Sequence, residues 1–286
     1  MRILLTGASG QLGHELRRAL TAEDVIPADQ PGYELTDPGI ADKIAAAKPD
    51  VVIHAAGYTD VDGCERDPDT AHRLNVQGTR RVAEGAAKVC ARLIYISTDY
   101  VFDGKKAEPY TERDPVNPLN AYGCSKLLGE QEALAVCPET LIIRTSWLYC
   151  TIGKNFVKTI LRLAATQPEI RVVNDQRGSP TYARDLAGVI AQLARRDVRG
   201  LVHAGGEGEC SWYEFAAAIL REIGSDCRLI PISTAESDRL AVRPPYSVLS
   251  TAKLRQHGLS LLPWRVGLQR FIADQTVLAP QQSEMK

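Results

Sequence analysis

The chain has 286 residues, 44% of them hydrophobic, which suffices for a substantial core in one large or two small domains. Its 34 basic and 35 acidic side chains nearly cancel and form no basic run, which argues against nucleic acid or an anionic membrane as partner and leaves a small molecule as the expected ligand. Seven cysteines (64, 90, 124, 137, 150, 210 and 227), odd in number and never spaced Cys-x-x-Cys, fit reduced thiols, and no apolar run approaches the roughly 18 residues of a membrane span. A cytoplasmic enzyme with neither export signal nor membrane anchor is the expectation.

In chain order, β-rich runs at Ile3 to Thr6, Val25 to Ala28, Val51 to Ala56, Leu93 to Thr98 and Leu141 to Trp147 alternate with segments long enough for crossover helices, beginning with Leu12 to Leu20. Near-continuous apolar runs such as Val51-Val-Ile-His-Ala-Ala56 suit strands buried on both faces. The pattern predicts an α/β fold, a doubly wound parallel sheet of the Rossmann type, over residues 1–147 and joined by about 173–199. Residues 148–286 read mainly as a smaller mixed α/β substrate-binding lobe. Helical stretches are expected at Asn155 to Ala165 and Tyr182 to Arg196, and Ser211 with Glu214 forms a capping box for a helix running to Ile223. Pro231, Pro244, Pro245 and Pro263 break the remainder into short elements. The polar tail from Pro280 to Lys286 reads as disordered.

Three separated motifs carry chemistry. Gly7-x-x-Gly10-x-x-Gly13 lies between the first strand and a helix, where glycines permit a tight turn and close approach of backbone to a pyrophosphate at the helix N-terminus. Asp29 closes the second strand about 20 residues later, where a carboxylate accepts hydrogen bonds from adenosine ribose hydroxyls and mildly favours NAD over NADP; a turn residue before Pro31 is the alternative. Ser97 and Thr98 end the fourth strand, at the edge where α/β sheets bind ligands. Tyr122 and Lys126, one helical turn apart, share a face of the helix that follows.

The pattern fits carbonyl reduction. Hydride delivered to a ketone carbon leaves negative charge on oxygen, so an acid must supply a proton as that charge develops. A free tyrosine, with a pKa of about 10, is a sluggish donor. A positive Lys126 beside Tyr122 is expected to favour the phenolate and lower that pKa, and also to hold a nicotinamide ribose. The Thr98 hydroxyl is placed to orient the carbonyl. His54, inside an apolar strand, reads as a satisfied core histidine.

Leu4-Leu-Thr-Gly-Ala-Ser-Gly-Gln-Leu-Gly13, Ser97-Thr-Asp-Tyr-Val-Phe-Asp-Gly104, Asn120-Ala-Tyr-Gly-Cys-Ser-Lys126, Arg144-Thr-Ser-Trp-Leu-Tyr149, Asn155-Phe156 and Asn174-Asp-Gln-Arg-Gly-Ser-Pro-Thr181 together resemble the extended short-chain dehydrogenase/reductases, and among them the branch that reduces dTDP-linked keto-deoxysugars. The resemblance spans nearly the whole chain. It implies reduction of the 4-keto group of dTDP-4-dehydro-L-rhamnose to dTDP-L-rhamnose with NADPH or NADH, supplying a sugar donor for cell-surface polysaccharide. It implies Thr98, Tyr122 and Lys126 as catalytic residues, and Gly7, Gly10, Gln11, Leu12, Asp29, Glu34, Leu35, Ala55, Ala56 and Tyr58, with Tyr122 and Lys126, as cofactor contacts. Thr59, Val61, Tyr100, Trp147 and Asn155 match substrate contacts, and Arg243 is a candidate for the diphosphate. Core packing for Trp147 and a solvated loop charge for Arg243 are the alternatives.

Some relatives hold magnesium with acids at a dimer contact. Here Glu15 lies at one such position, but Arg184 stands nearby where an acid would be needed, so no metal is expected, in a monomer or a homodimer. Related dehydratases place a glutamate where this chain has Tyr100, which argues against dehydration. A reductase or epimerase of another nucleotide-linked keto-deoxysugar is one alternative. A non-catalytic NADP-binding subunit, resembling the regulatory subunit of methionine adenosyltransferase, is the other.

Overall fold

A computed structural model describes residues 1–283, with side chains described through residue 275. The N-terminal half alternates strand and helix: β1 (Arg2–Thr6), α1 (Gln11–Ala19), β2 (Asp24–Ala28), α2 (Ile40–Ala46), β3 (Val51–His54), α3 (Val61–Arg66), α4 (Pro68–His72), α5 (Gly78–Lys88), β4 (Arg92–Thr98), α6 (Ala121–Val136) and β5 (Leu141–Thr145). The chain continues through β6 (Leu148–Tyr149), α7 (Phe156–Ala164), β7 (Glu169–Val173), β8 (Arg177–Gly178), β9 (Thr181–Tyr182), α8 (Ala183–Ala194) and β10 (Gly200–His203). It ends with β11 (Cys210–Ser211), α9 (Trp212–Glu222), β12 (Arg228–Ile232), α10 (Ala252–Gln256) and α11 (Trp264–Ser283).

Six strands form one parallel sheet in the order β10-β5-β4-β3-β1-β2. Every residue of β3 and β5 is buried, the apolar runs Val51 to Ile53 and Leu141 to Ile143 as well as the polar His54, Arg144 and Thr145 that end them. Alternate residues face opposite layers. Ile3, Leu5, Val51, Ile53 and Ile94 pack with α1 and α8, whereas Leu4, Val52 and Leu93 pack with α2 and α5. The strand order reverses between β1 and β3, which opens a crevice at their C-terminal ends.

The second lobe is built on the parallel pair β7–β12, with α7, α9 and α11 around a core of Tyr149, Val157, Ile170, Phe215, Trp264 and Phe271. The chain crosses between lobes more than once. α8 packs on α1, β10 completes the main sheet, and Leu254, Leu259 and Leu261 join the core beside α1. β10 and these leucines therefore pack with the sheet although they fall in the span that the sequence assigns mainly to the other lobe. α11 takes in the first residues of the tail expected to be disordered, and residues 284–286 lie outside the described residues.

Candidate active site

A cavity of about 800 Å³ opens over the C-terminal ends of β1, β3, β4 and β5. One wall is the turn after β1. Gly7 adopts φ +71°, and a Cβ there would meet the Ala56 nitrogen at 2.7 Å, so only glycine lets this turn close on the end of β3. A Cβ on Gly13 would lie 2.0 Å from the Gly7 carbonyl oxygen, which fixes α1 tightly against the turn. α1 starts at Gly10 with no side-chain cap and no acid in its first turn. Its first N–H groups and the positive end of its dipole therefore remain available to an anion, which fits a dinucleotide pyrophosphate. Asp29, at the end of β2, accepts from the Ser9 nitrogen at 2.7 Å and ties down the same turn.

The opposite wall carries the candidate chemistry. Thr98 ends β4, and its hydroxyl donates to Asp99 Oδ1 at 3.1 Å. Asn120 caps α6 by accepting from the Gly123 nitrogen at 2.8 Å, and this starts the helix where Tyr122 and Lys126 both face the cavity. Lys126 donates to the Ile96 carbonyl at 2.7 Å, with Nζ 4.1 Å from the Tyr95 ring centre. Burial lowers the Lys126 pKa to about 7, and the Glu130 charge opposes that shift. Burial likewise pushes the Tyr122 phenol well above its ordinary value, while a hydrogen bond from Thr98 acts in the other direction. This corrects the expectation that Lys126 depresses the Tyr122 pKa. The ammonium is engaged with the Ile96 carbonyl, and desolvation dominates the phenol, which keeps its proton across the neutral range.

Of the residues singled out from sequence, Gly7, Gly10, Gln11, Leu12, Asp29, Leu35, Ala55, Ala56, Thr59, Val61, Thr98, Tyr100, Tyr122, Lys126 and Trp147 all line this cavity. Four do not. Glu34 folds back to accept from the Gly32 nitrogen at 3.0 Å. The Tyr58 backbone is clamped by Asn75, which accepts from its nitrogen at 2.7 Å and donates to its carbonyl at 3.0 Å. Asn155 caps α7 and donates to Gln11 Oε1 at 2.9 Å, one step behind the wall. Arg243 pairs with Asp62 at 3.0 Å, half-hidden among Asp62, Arg239 and the Tyr100 phenol. Trp147 sits at φ +45° and stacks face to face on Trp212 with ring centres 3.4 Å apart. It is both cavity wall and packing residue, and Gly178 leaves room for its ring.

Sequence reasoning missed Trp212, which lines the cavity, and Asn75, whose side chain also donates to Ser125 on α6 at 2.9 Å. It also missed the buried ion pair of Glu130 and Arg144 behind Lys126. His54 is as expected: Nδ1 meets the Thr6 hydroxyl at 2.7 Å, Nε2 meets Thr79 at 3.1 Å, and burial drives its pKa down to about 3. Glu15 is buried beside Arg18 and Cys150, and Arg184 is paired with Asp274. All seven cysteines are free thiols, and among the described residues no helix is long and apolar enough to cross a membrane.

A parallel doubly wound sheet with a glycine turn at its switch point, and a Thr/Tyr/Lys constellation on the opposite wall, defines a nucleotide-dependent enzyme of the short-chain dehydrogenase/reductase class. Residues 1–277 match the RmlD substrate binding domain, and the chain belongs to that family. A dTDP-4-dehydrorhamnose reductase of Mycobacterium tuberculosis is 42% identical, with 95% of this chain and 92% of the relative covered. The spore coat polysaccharide biosynthesis protein SpsK of Bacillus subtilis is 40% identical, with 96% of this chain and 98% of the relative covered. The crystal structure of a dTDP-4-dehydrorhamnose reductase from Bacillus anthracis in complex with NADP superposes with a TM-score of 0.93, at 40% identity, covering 96% of this chain and 99% of that one. The UDP-glucose 4-epimerase of Thermus thermophilus, in complex with NAD, shares the fold at a TM-score of 0.83 and 20% identity.

Proposed function

We propose that this protein reduces the 4-keto group of dTDP-4-dehydro-L-rhamnose to give dTDP-L-rhamnose, the nucleotide-sugar donor for cell-surface polysaccharide. The observation that carries the reading is the placement of Thr98, Tyr122 and Lys126 on the cavity wall facing an uncapped helix N-terminus and its glycine turn. Kinship with reductases at about 40% identity over nearly their full length supports the same reaction here.

Gly7, Gly10, Gln11 and Leu12 would hold the pyrophosphate of NADPH or NADH, Asp29 and Leu35 the adenosine end, and Ala55, Ala56 and Lys126 the nicotinamide half. When bound, the reduced nicotinamide supplies the hydride equivalent. The chain's own residues do the rest. Tyr122 gives its phenolic proton to the carbonyl oxygen as negative charge develops there. Its raised pKa keeps the proton in place until that charge appears. Thr98 turns its one hydroxyl hydrogen from Asp99 Oδ1 to the same carbonyl oxygen and fixes its direction. Thr59, Val61, Tyr100 and Trp147 enclose the sugar and exclude water. Tyr100 stands where related dehydratases have a glutamate, packed edge-on against Tyr122 with ring centres 5.8 Å apart, so no carboxylate at that position is available for elimination.

The test is the loss of reduced-nicotinamide absorbance when the protein meets dTDP-4-dehydro-L-rhamnose, run in parallel with NADPH and NADH. Rapid oxidation is expected, with turnover lost and dinucleotide binding kept in Tyr122→Phe. Dinucleotide binding without oxidation would overturn the reading and shift it to an epimerase or a non-catalytic subunit.

A further inference from the structure

Both ligands of the proposed reaction carry a diphosphate, and the cavity that would receive them is short of positive charge. Among the residues lining it the cations are Lys126 and Lys154, against the acids Asp29 and Asp99. Lys126 is held by the Ile96 carbonyl at 2.7 Å, over the Tyr95 ring. Arg243, outside the lining, is paired with Asp62 at 3.0 Å. The exposed Lys154 ammonium has no hydrogen bond or ion pair with any described residue, so an anion can recruit it without breaking a contact. The chain nevertheless fixes where Lys154 stands. The loop between β6 and α7 lies across Gln11, the first residue of α1, through three successive residues. Gly153 takes φ +70°, and a Cβ there would meet Gln11 Cγ at 3.0 Å. The Lys154 carbonyl accepts from Gln11 Nε2 at 3.3 Å, and Asn155 Nδ2 donates to Gln11 Oε1 at 2.9 Å. Asn155 is anchored in turn, accepting from the Lys158 nitrogen at 3.0 Å and donating to the Cys150 carbonyl at 2.7 Å. The Lys154 backbone is thus pinned beside the helix N-terminus that suits a pyrophosphate, while its four-carbon stem stays free to swing. Lys158, one turn further on, is not equivalent, because its Nζ donates to the Thr151 carbonyl at 3.1 Å.

We propose that Lys154 is the cation of the dinucleotide site, its ammonium closing on the pyrophosphate from the second lobe while the glycine turn and the start of α1 hold that group from the first. The inference rests on the nicotinamide-dependent reading above. The two sides do different work. The backbone N–H groups at the start of α1 are rigid and directional, whereas the ammonium is a point charge on a flexible stem that needs no single geometry. It adds affinity at a place where no acid or side-chain cap competes for the anion. Because the pyrophosphate is common to NADH and NADPH, Lys154 strengthens both alike. The contact also bridges the lobes across the bound dinucleotide, since Lys154 leads into α7 and Gln11 opens α1.

Lys154→Gln removes the charge and keeps most of the stem, and Lys154→Arg keeps the charge. The dissociation constants of NADPH and NADH are measured for wild type and both variants by the fluorescence of the reduced nicotinamide, without sugar substrate, so that the readout does not depend on turnover. Lys154→Gln is expected to weaken both dinucleotides alike, by about fivefold at about 0.01 M salt, with the difference lost at about 1 M. Lys154→Arg is expected to restore wild-type affinity. The melting midpoint is expected to stay at the wild-type value in both variants, since the ammonium has no partner within the chain to lose. Titration of dTDP onto each protein serves as the second arm, and its affinity is expected to be the same in all three. Wild-type dinucleotide affinity in Lys154→Gln at low salt overturns the assignment. A loss confined to NADPH overturns it in favour of the ribose phosphate, and a loss confined to dTDP overturns it in favour of the substrate diphosphate. A wild-type protein that binds neither dinucleotide removes the nicotinamide-dependent reading itself, and the role of Lys154 falls with it.

Discussion

Replacing Glu130 by glutamine tests how the floor of the site is held. Glu130 sits one turn after Lys126 on α6, where Oε1 accepts from Arg144 Nε at 2.8 Å and Oε2 from Arg144 Nη2 at 2.6 Å, while the Ser97 hydroxyl also donates to Oε1. The side chains of Arg144 and Glu130 are only 4% and 6% exposed. Removing one partner of such a pair leaves an uncompensated buried guanidinium, at a cost of about 3–5 kcal/mol. Glutamine keeps the shape and one acceptor, so the lower end, about 3 kcal/mol, is the expected loss. For a chain of this size that lowers the melting midpoint by roughly 5 °C. Circular dichroism melts and urea titrations at neutral pH measure it. The double variant Glu130→Leu/Arg144→Met, which removes both charges, is expected to be more stable than Glu130→Gln. A single variant that loses less than about 1 kcal/mol, or a double variant no better than the single, would refute the view that an unpaired charge dominates. Because the Glu130 charge raises the Lys126 pKa, the glutamine variant should also bring Lys126 below about 7.

Gly13→Ala places a methyl 2.0 Å from the Gly7 carbonyl oxygen and 2.6 Å from Ala8 Cα, both of them backbone atoms that cannot swing aside. Dinucleotide affinity is expected to fall at least about tenfold by fluorescence titration, with stability also lowered, as for other overpacked sites. Ser211→Ala removes the hydroxyl that accepts from the Glu214 nitrogen at 3.0 Å and with it half of the capping box, and should lower stability by about 1 kcal/mol in urea titrations with little effect on turnover. Lys126→Met tests a pH dependence. The folded pKa of Lys126, about 7, lies below its unfolded value of about 10.4, so the buried cation destabilises the fold below about pH 7 and the penalty disappears as pH rises toward 10. The stability of wild type relative to Lys126→Met should therefore increase by up to about 4 kcal/mol across that window, and a pH-independent difference would refute the assignment.

Most of the sheet was legible because a strand buried on both faces carries a continuous apolar run, as β1, β3 and β5 do in Ile3 to Leu5, Val51 to Ile53 and Leu141 to Ile143. The strand ends were less so. The apolar run from Val51 to Ala56 stops pairing at His54, where the next residues turn under the Gly7 loop. The run from Leu141 to Trp147 divides because Trp147 takes a positive φ, which no extended strand contains. Ser211 and Glu214 were readable because a capping box is a local signal, and both of its hydrogen bonds form. The segment of about 173–199 that the sequence attaches to the first domain contains α8, which packs on α1, whereas the return of β10 and of Leu254, Leu259 and Leu261 to the sheet joins residues far apart in the chain and leaves no local trace.

The site divides in the same way. Thr98, Tyr122 and Lys126 were singled out from their positions at a strand end and a helix start together with the family resemblance, and all three line the cavity. Their electrostatics could not, because desolvation depends on what the rest of the chain stacks over them. From sequence, a lysine one turn from a tyrosine implies a cation pulling the phenol pKa down. In the folded chain burial acts on both groups, raising the phenol and lowering the ammonium. The consequence is chemical. A phenol that holds its proton is the better reservoir and the poorer spontaneous acid, so release of that proton has to be driven by the charge developing on the substrate oxygen, and recovery of it needs a donor nearby. The same desolvation that makes Tyr122 retentive raises the pKa of the neighbouring Asp99 carboxyl to about 7. One physical cause, exclusion of water from the end of β4 and the start of α6, thereby sets the protonation of all three groups, which is why none of them could be assigned from its immediate neighbours in sequence.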